Sequence, residues 1–205
     1  MRALIVVDVQ NDFVPGGALA VREGDLVVPV ANGLMGRFEL VVATQDWHPA
    51  DHGSFAANHP GKRVGEVIDL NGLPQVLWTV HCVQGTHGAE FAAGLNVARV
   101  TKVFRKGTDA ANDSYSGFFD NGHRRATGMG DWLKEKGVRD IYVMGLATDY
   151  CVKFTALDGR QLGFNVSLIE EGCRGVELRA GDVGRAVEEM RSAGVRVIRI
   201  DEVAQ

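Results

Sequence analysis

Three residue types in this chain could cooperate in nucleophilic catalysis: a cysteine, an aspartate and a lysine. Cys151, in the segment ATDYCV, follows an apolar run and precedes a helical pattern, so we expect it at a helix N-terminus. Free backbone N–H groups and the helix dipole at such a position lower a thiol pKa and can hold a developing oxyanion. Taken alone, such a residue is more often a buried structural cysteine, and only its position makes the functional interpretation equally good.

A nucleophilic cysteine needs a base, and Asp8, which ends an apolar run in VVDVQNDF, could fill that role. A turn or capping residue is the ordinary alternative, and Asp12 is a rival in the same loop. Lys106, in FRKGTDAANDSYSGF, could pair with Asp8 and stabilise the thiolate and the oxyanion. The ordinary alternative is that Lys106 is a solvated surface residue. Arg105 competes with it, but strand alternation places the two side chains on opposite sides.

A second group of residues has the composition of a metal site. Asp46 and His48 stand two apart in D-W-H and share one side of an extended segment, and His81, in VLWTVHC, could supply a third ligand. One carboxylate and two imidazoles with open positions indicate a catalytic or substrate-anchoring site rather than a closed structural one. His52 is a further candidate, as a fourth ligand or a hydrogen-bond donor. The remaining histidines are interpreted as loop or surface residues: His59, His87 and His123.

Elements able to position these side chains follow from the apolar pattern. Short runs rich in Val, Ile and Leu predict buried parallel strands at residues 3–7, 40–43, 100–104, 141–144, 166–169 and 195–200. Helical patterns lie between them at residues 25–37, 131–136, 148–162 and 179–193. This alternation predicts a single α/β domain over residues 1–205, with a doubly wound, mainly parallel six-stranded sheet in a three-layer α/β/α arrangement.

Ligands of such sheets collect beyond the carboxyl ends of the strands. Most of the candidate residues directly follow predicted strands, so they should lie together at one edge of the sheet. They are Asp8, Asp46, His48, Lys106 and Cys151. Residues 46–95 resist assignment to regular elements and hold most of the histidines. A long irregular segment of this kind is typical of a functional loop.

Composition excludes several classes of function. A net charge of −4 without a basic run gives no electrostatic support for nucleic-acid or membrane partners. No segment has the apolar length of a signal peptide or a membrane span, and three scattered cysteines favour a reducing, cytoplasmic location. The chain lacks G-x-G-x-x-G, G-x-x-x-x-G-K-[ST], G-x-S-x-G and C-x-x-C. These absences count against nucleotide or flavin binding, serine hydrolysis and thiol redox chemistry.

The chain resembles the nicotinamidase branch of the isochorismatase-like hydrolases in five segments that follow the family's order. They are VVDVQNDF, TQDWHPADHGSF, WTVHCVQGT, FRKGTDAANDSYSGF and GLATDYCV. The resemblance covers nearly the whole chain. It implies an α/β/α amide hydrolase that converts nicotinamide to nicotinate and ammonia in NAD salvage, with pyrazinamide as a further substrate. A related amidase acting on another small amide or ureido compound is the alternative. The sequence leaves a homo-oligomer open.

The resemblance also assigns roles to individual positions. It implies a catalytic triad of Asp8, Lys106 and Cys151, and metal ligands at Asp46, His48 and His81, with His52 a ligand in some members only. It places the oxyanion hole at the backbone N–H groups of Ala147 and Cys151, and the ring pocket at Phe13, Trp78 and Tyr115. The implied cofactor is one divalent transition metal, with zinc as first choice and iron and manganese as alternatives. One departure is Thr79, where many members have proline.

Overall fold

The structure, a computed structural model that describes residues 1–203, contains strands and helices in alternation along the chain. In chain order these are β1 (Arg2–Val7), α1 (Val27–Met35), β2 (Leu40–Asp46), β3 (Val67–Leu70), β4 (Leu73–Val76), β5 (Lys102–Lys106), α2 (Met129–Glu135), β6 (Asp140–Leu146), α3 (Lys153–Gln161), β7 (Asn165–Arg174), α4 (Asp182–Ser192) and β8 (Arg196–Ile198). Six of the strands form one sheet in the order β5-β2-β1-β6-β7-β8, and every neighbouring pair is parallel. The predicted six-stranded parallel sheet is therefore confirmed.

Helices cover both faces of this sheet. Gly159 of α3 lies so close to Ile141 of β6 that a Cβ would stand 2.7 Å from the Ile141 Cδ1. Phe38, just after α1, packs against Tyr142 of β6 with ring centroids 5.0 Å apart. Since consecutive strand residues point to opposite faces, α3 and α1 lie on opposite sides. The doubly covered sheet explains why β1 is apolar and buried from Ala3 to Val7.

Strand order reverses between β1 and β6, because the chain winds from β1 to β2 in one direction and later returns to β6 on the other side. A crevice forms at the carboxyl ends of strands on either side of such a reversal. The ends of β1 and β6 carry Asp8 and the turn to Cys151, while β2 and β5 end at Asp46 and Lys106. The fold thus brings the candidate residues to one rim.

The segment of residues 46–95 differs from the sequence-based expectation. It contains an antiparallel hairpin of β3 and β4, whose two-residue turn is Asn71-Gly72 with φ angles of 55° and 82°. An Asn-Gly pair with positive φ at both positions is the preferred turn for a two-residue hairpin. Pro74 lies within β4, which fits a strand outside the main sheet. The prediction of an entirely irregular segment was wrong because the turn signal was not used.

The helices match the predicted segments, with one local difference. Residues 148–152 form a wide π-helical turn, in which the Val152 amide donates to the Ala147 carbonyl, before α3 begins at Lys153. Helix α4 stops before Gly194, which has a φ of 84°, as its sequence position indicates. Within residues 1–203, every helix is too short or too polar to cross a lipid bilayer.

Candidate active site

The structure brings Lys106 into contact with both Asp8 and Cys151 below the rim of the sheet. The Lys106 ammonium lies 2.8 Å from Asp8 Oδ2 and 2.6 Å from Asp46 Oδ1, and it donates to the Ser114 carbonyl at 2.8 Å. Its Nζ is 3.4 Å from the Cys151 Sγ. Asp8 and Cys151 approach within 4.8 Å. Sulfur, carboxylate and ammonium from three separate strand ends therefore meet in one buried cluster.

Charges in this cluster control each other. Burial alone would lower the pKa of Lys106, but the Asp46 and Asp8 carboxylates outweigh it and raise that pKa well above its ordinary value. Burial raises the pKa of Asp8 to about 6 against the opposing pull of Lys106. Burial also acts to raise the pKa of Asp46, yet Lys106 and His48 hold it well below its usual range. Asp8 is thus the carboxylate that can exchange a proton near neutral pH.

The thiol of Cys151 differs from the expectation of a lowered pKa. Burial raises the pKa of Cys151 well above its ordinary value, and the nearby ammonium of Lys106 only partly offsets this effect. The surrounding carboxylates of Asp8 and Asp46 add to the increase. The cysteine therefore rests as a neutral thiol, and it becomes a nucleophile only as a base removes its proton.

Asp8 is held by a residue that sequence analysis did not single out. The Thr44 hydroxyl donates to Asp8 Oδ1 at 2.6 Å and accepts from the Asp8 amide at 3.2 Å. Asp8 has a φ of 46°, in the left-handed region that aspartate tolerates better than most residues. This geometry turns the chain at the end of β1 and leaves Oδ2 facing Lys106. Asp12, the rival base, instead accepts from the backbone amides of Ala18 and Cys82.

The predicted oxyanion hole lies in the turn between β6 and α3. The Leu146–Ala147 peptide bond is cis, and the wide turn that follows carries Cys151 at its fourth position. The backbones of Ala147 and Cys151 therefore belong to the same short turn beside the sulfur. Amide N–H groups at such a turn are suited to a developing negative charge.

Asp46, His48 and His81 form a second cluster, in which one ligand atom from each lies within 4.8 Å of the others. The Nε2 atoms of His48 and His81 are 3.5 and 3.9 Å from Asp46 Oδ2. Each ring uses its Nδ1 to donate to a backbone carbonyl, that of Gly107 for His48 and of Thr79 for His81, both at 2.8 Å. A carbonyl only accepts, so in the neutral rings the Nε2 lone pairs face the carboxylate. Converging acceptors of this kind fit a divalent cation with nitrogen and oxygen ligands.

His52 stands at the edge of this cluster. Its ring centroid is 4.2 Å from that of His48, and its Nδ1 accepts from the amide of Ser54 at 3.3 Å and lies 2.7 Å from the Ser54 hydroxyl. Its Nε2 is buried without a hydrogen-bond partner among residues 1–203. Asp113, which sequence analysis missed, lies within 4.8 Å of both histidines. The geometry is compatible with His52 as either a fourth ligand or a neighbouring donor.

Alternation along the strands separates inward from outward residues as expected. Lys106 is buried, whereas the guanidinium of Arg105 lies over the outer Trp47 ring, 3.9 Å from its centroid. Phe55, another residue missed in the sequence, is fully buried and packs against the rings of His48 and His81 at 5.5 and 5.4 Å. The rings of the metal-site candidates are therefore fixed by packing as well as by hydrogen bonds.

A narrow cavity opens above Cys151. It is lined by Phe13, Leu19, Asp46, Trp78, His81, Asp113, Tyr115, Ala147, Tyr150, Cys151 and Val176. The three aromatic residues assigned to a ring pocket all belong to this lining. The Trp78 indole donates to the Tyr115 hydroxyl at 3.2 Å, and the Tyr150 ring meets Trp78 edge-on at 4.8 Å. A small cavity lined by several aromatic rings, with the sulfur and His81 in its wall, suits a planar aromatic ring.

Sequence analysis missed the lining residues Leu19, Tyr150 and Val176. Tyr150 is next to Cys151, and Leu19 lies a few residues after Phe13, so proximity to a motif was a usable signal for both. Val176 follows β7 and belongs to no quoted motif. Only the parallel register of β7 beside β6 brings it to the cavity.

Comparison with known proteins agrees with this geometry. The isochorismatase domain family matches residues 2–202. A nicotinamidase of Escherichia coli (strain K12) is 52% identical over 197 residues, covering 94% of this chain and 92% of the relative. The structure of a nicotinamidase/pyrazinamidase from Acinetobacter baumanii superposes with a TM-score of 0.96 at 49% identity, covering 99% of this chain and 98% of the other.

Two further similar structures are complexes, one with zinc and one with nicotinate. A pyrazinamidase of Pyrococcus horikoshii in complex with zinc has a TM-score of 0.79 and 39% identity, with 97% of this chain and 98% of the other covered. An L. infantum relative in complex with nicotinate has a TM-score of 0.86 and 36% identity, with 98% and 93% covered. The sequence match spans nearly all of the chain, and these structures share its fold. The chain therefore belongs to the isochorismatase family, in the nicotinamidase branch of its amide hydrolases.

Proposed function

We propose that the protein hydrolyses nicotinamide to nicotinate and ammonia through a thioester on Cys151, as a step of NAD salvage, and that it also accepts pyrazinamide. The observation that carries the proposal is the contact of Lys106 with both Asp8 and Cys151 at the floor of an aromatic cavity. This set contains a nucleophile, a base of suitable pKa and a cation to stabilise developing charge. The names of the similar proteins support nicotinamide as the amide.

In the first half of the reaction, Asp8 removes the Cys151 proton as the sulfur attacks the amide carbon. The carbonyl oxygen becomes an oxyanion, which the backbone N–H groups of Ala147 and Cys151 stabilise. Protonated Asp8 then gives its proton to the amide nitrogen, the carbon–nitrogen bond breaks and ammonia leaves. A thioester on Cys151 remains.

In the second half, ionised Asp8 accepts a proton from water as the water oxygen attacks the thioester carbon. As the tetrahedral species collapses, the carbon–sulfur bond breaks and the sulfur recovers the proton from Asp8. The acid that forms keeps the second proton of the water and releases it to solvent to give nicotinate. Lys106 stays protonated throughout, because its raised pKa keeps the ammonium charged beside both carboxylates. Its charge offsets the negative charge that moves between Asp8, sulfur and oxyanion.

Asp46, His48 and His81 would hold a divalent metal, most simply zinc, with His52 as fourth ligand or neighbouring donor. Such a cation, when bound, supplies a Lewis acid at the histidine end of the cavity that can orient a ring nitrogen. Phe13, Trp78 and Tyr115 would sandwich and align the ring, so that its amide group reaches the sulfur.

An ammonia-release assay on a panel of small amides, combined with metal analysis, tests this proposal. Nicotinamide and pyrazinamide should be the best substrates, and the purified protein should hold about one metal ion per chain. Preference for a ureido or carbamoyl compound would instead favour a related amidase. Absence of ammonia release from nicotinamide by the metal-loaded protein would contradict the proposal.

A further inference from the structure

Val176 lines both the narrow cavity above Cys151 and a second, wider cleft of about 780 Å³. The cleft is lined by Arg22, Glu23, Thr148, Leu168, Glu170, Cys173, Arg174, Gly175, Val176, Glu177, Ala180, Val183 and Val187. Within the described residues, Val176 is the one side chain that lines both spaces. One apolar residue thus borders both a small cavity and a much larger cleft.

The backbone that carries Val176 is held by Asp149. The two Asp149 carboxylate oxygens accept from the amides of Val176 at 2.9 Å and Glu177 at 2.8 Å. Glu177 has a φ of 53°, so the chain turns sharply there. A Cβ on Gly175 would overlap Val183 of α4, which shows that the preceding residue is also closely packed. Val176 is therefore fixed from both sides rather than placed on a free loop.

Asp149 is itself tied to the nucleophile. It is buried and lies two residues before Cys151 in the same wide turn. Its carboxylate reaches across to the segment after β7, so one rigid turn sets the position of both the sulfur and the boundary side chain. A carboxylate that accepts two backbone N–H bonds in a buried position is a strong local constraint.

We propose that Val176 determines the size specificity of the site and that Asp149 is the positioning residue that keeps it in place. This inference rests on the proposed function, since it concerns which aromatic amides the cavity admits. Val176 stops a ring substituent from extending into the wider cleft and so restricts the site to small rings. Removing or displacing it joins the two spaces and admits nicotinamides that carry an alkyl group on the ring.

The experiment compares nicotinamide with ring-alkylated nicotinamides, substituted at each free ring carbon in turn, in the wild type and in Val176→Ala. For the isomer whose alkyl group points toward the cleft, the ratio of its kcat/KM to that of nicotinamide should rise about 10- to 100-fold in Val176→Ala, the usual worth of steric exclusion by one or two methyl groups. Most of the change should be in KM of the alkylated amide. Nicotinamide is assayed with the same variant, so the ratio separates a change in selectivity from any general loss of activity.

Asp149→Asn tests the positioning role. It should shift selectivity in the same direction by a smaller factor, because an amide side chain keeps only one of the two acceptor oxygens. If Asp149 acts through Val176, the two effects should not multiply in the double variant Asp149→Asn/Val176→Ala. If Asp149→Asn acted through a general structural defect, it would change the selectivity ratio by the same factor in the wild type and in Val176→Ala. Should Asp149→Asn not fold, the Val176→Ala comparison carries the test alone.

Two matched controls separate this effect from a general loosening. Leu19→Ala removes more side-chain volume from another wall of the same cavity but does not border the cleft, so the favoured isomer should gain less than about threefold. Asp69→Asn weakens an equivalent carboxylate cap, on the Gly72 amide at 3.0 Å in the distant hairpin, and should leave all selectivity ratios unchanged.

The outcomes distinguish this inference from the function on which it rests. A wild-type protein that releases no ammonia from nicotinamide would contradict the proposed function. A wild type that turns over nicotinamide, with unchanged selectivity in Val176→Ala for every isomer, would overturn the specificity role alone. A gain in Leu19→Ala as large as that in Val176→Ala would also overturn it.

Discussion

The two ends of the cavity differ in the groups that balance their buried charges. At the sulfur end, the Lys106 ammonium lies 2.8 Å from Asp8 and 2.6 Å from Asp46, so the carboxylates are balanced by a cation of the chain itself. At the histidine end, Asp46 Oδ2 faces the Nε2 atoms of His48 and His81, and Asp113 lies nearby. Asp46 belongs to both ends, since Oδ1 contacts Lys106 while Oδ2 points toward the imidazoles.

This comparison teaches that the chain supplies its own cation at the sulfur end and presents converging acceptors at the histidine end. An ion pair inside the fold stabilises the sulfur end whenever the protein is folded. Converging acceptors at the histidine end are satisfied only by a proton or a metal ion. Variants at the sulfur end should therefore affect chemistry and stability, whereas variants at the histidine end should affect metal content and binding.

The largest effect is expected for Cys151→Ala. Loss of the nucleophile should reduce kcat for ammonia release by at least about 10⁴-fold, while metal content and the thermal midpoint stay near the wild-type values. Cys173→Ala is the matched control, because Cys173 is also buried and its Sγ donates to the Ile169 carbonyl of its own strand. The control should keep most of the activity. Substantial turnover by Cys151→Ala would remove the sulfur from the mechanism.

Lys106→Met should break the balance at the sulfur end. Two buried carboxylates would lose their cation, so the free energy of unfolding should fall by about 3–5 kcal/mol, as measured by denaturant titration. Activity should fall as well. The surface pair of Lys153 and Glu189, 3.0 Å apart, gives the control, and Lys153→Met should cost less than about 1 kcal/mol. Equal costs for the two variants would show that Lys106 does not hold the cluster together.

His48→Ala should separate the two ends. It removes an acceptor from the histidine end, so bound metal measured by elemental analysis should drop well below one ion per chain and KM should rise about 10- to 100-fold. His59→Ala is the control, because the His59 Nε2 donates to the nearby Gly53 carbonyl at 2.7 Å. Unchanged metal stoichiometry in His48→Ala would take this residue out of the ligand set.

The smallest expected effect concerns pH. Asp8 must be ionised to accept the thiol proton, and burial raises its pKa to about 6. Activity, as kcat/KM, should therefore fall about tenfold per pH unit below about pH 6, rather than below the ordinary aspartate value near 4. Thr44→Val removes a hydrogen bond that favours the ionised form, so the acid limb should move to higher pH. If the acidic side of the pH profile of kcat/KM is the same in Thr44→Val as in the wild type, a group other than Asp8 controls it.

The strand-end rule predicted much of the site from sequence. Asp8, Asp46, Lys106 and Cys151 follow apolar runs of a parallel sheet, and such positions must gather at one rim whatever the loops do. The opposite orientation of Arg105 and Lys106 was also predictable, because consecutive residues of a strand point to opposite sides. Long irregular segments with histidines supplied the candidates for the second cluster.

Other features depend on tertiary contacts that spacing does not encode. The direction of the Cys151 pKa shift was predicted wrongly, because a helix N-terminus suggests a lowered value while complete burial has the larger effect. Thr44 lies within β2 and contacts Asp8 only through the β1–β2 pairing. Val176 and its carboxylate support at Asp149 come from elements that are far apart in sequence. The hairpin of β3 and β4 was missed despite a readable Asn-Gly signal.

The central claim is that the sulfur of Cys151 carries the acyl group during turnover. Mass spectrometry of a rapidly quenched reaction, with and without hydroxylamine as a trap, tests it most directly. We expect the nicotinoyl group on the peptide that contains Cys151, and nicotinohydroxamate when the trap is present. An unmodified Cys151 peptide under fast quenching, together with no hydroxamate at full turnover, would contradict the account and indicate direct attack by water.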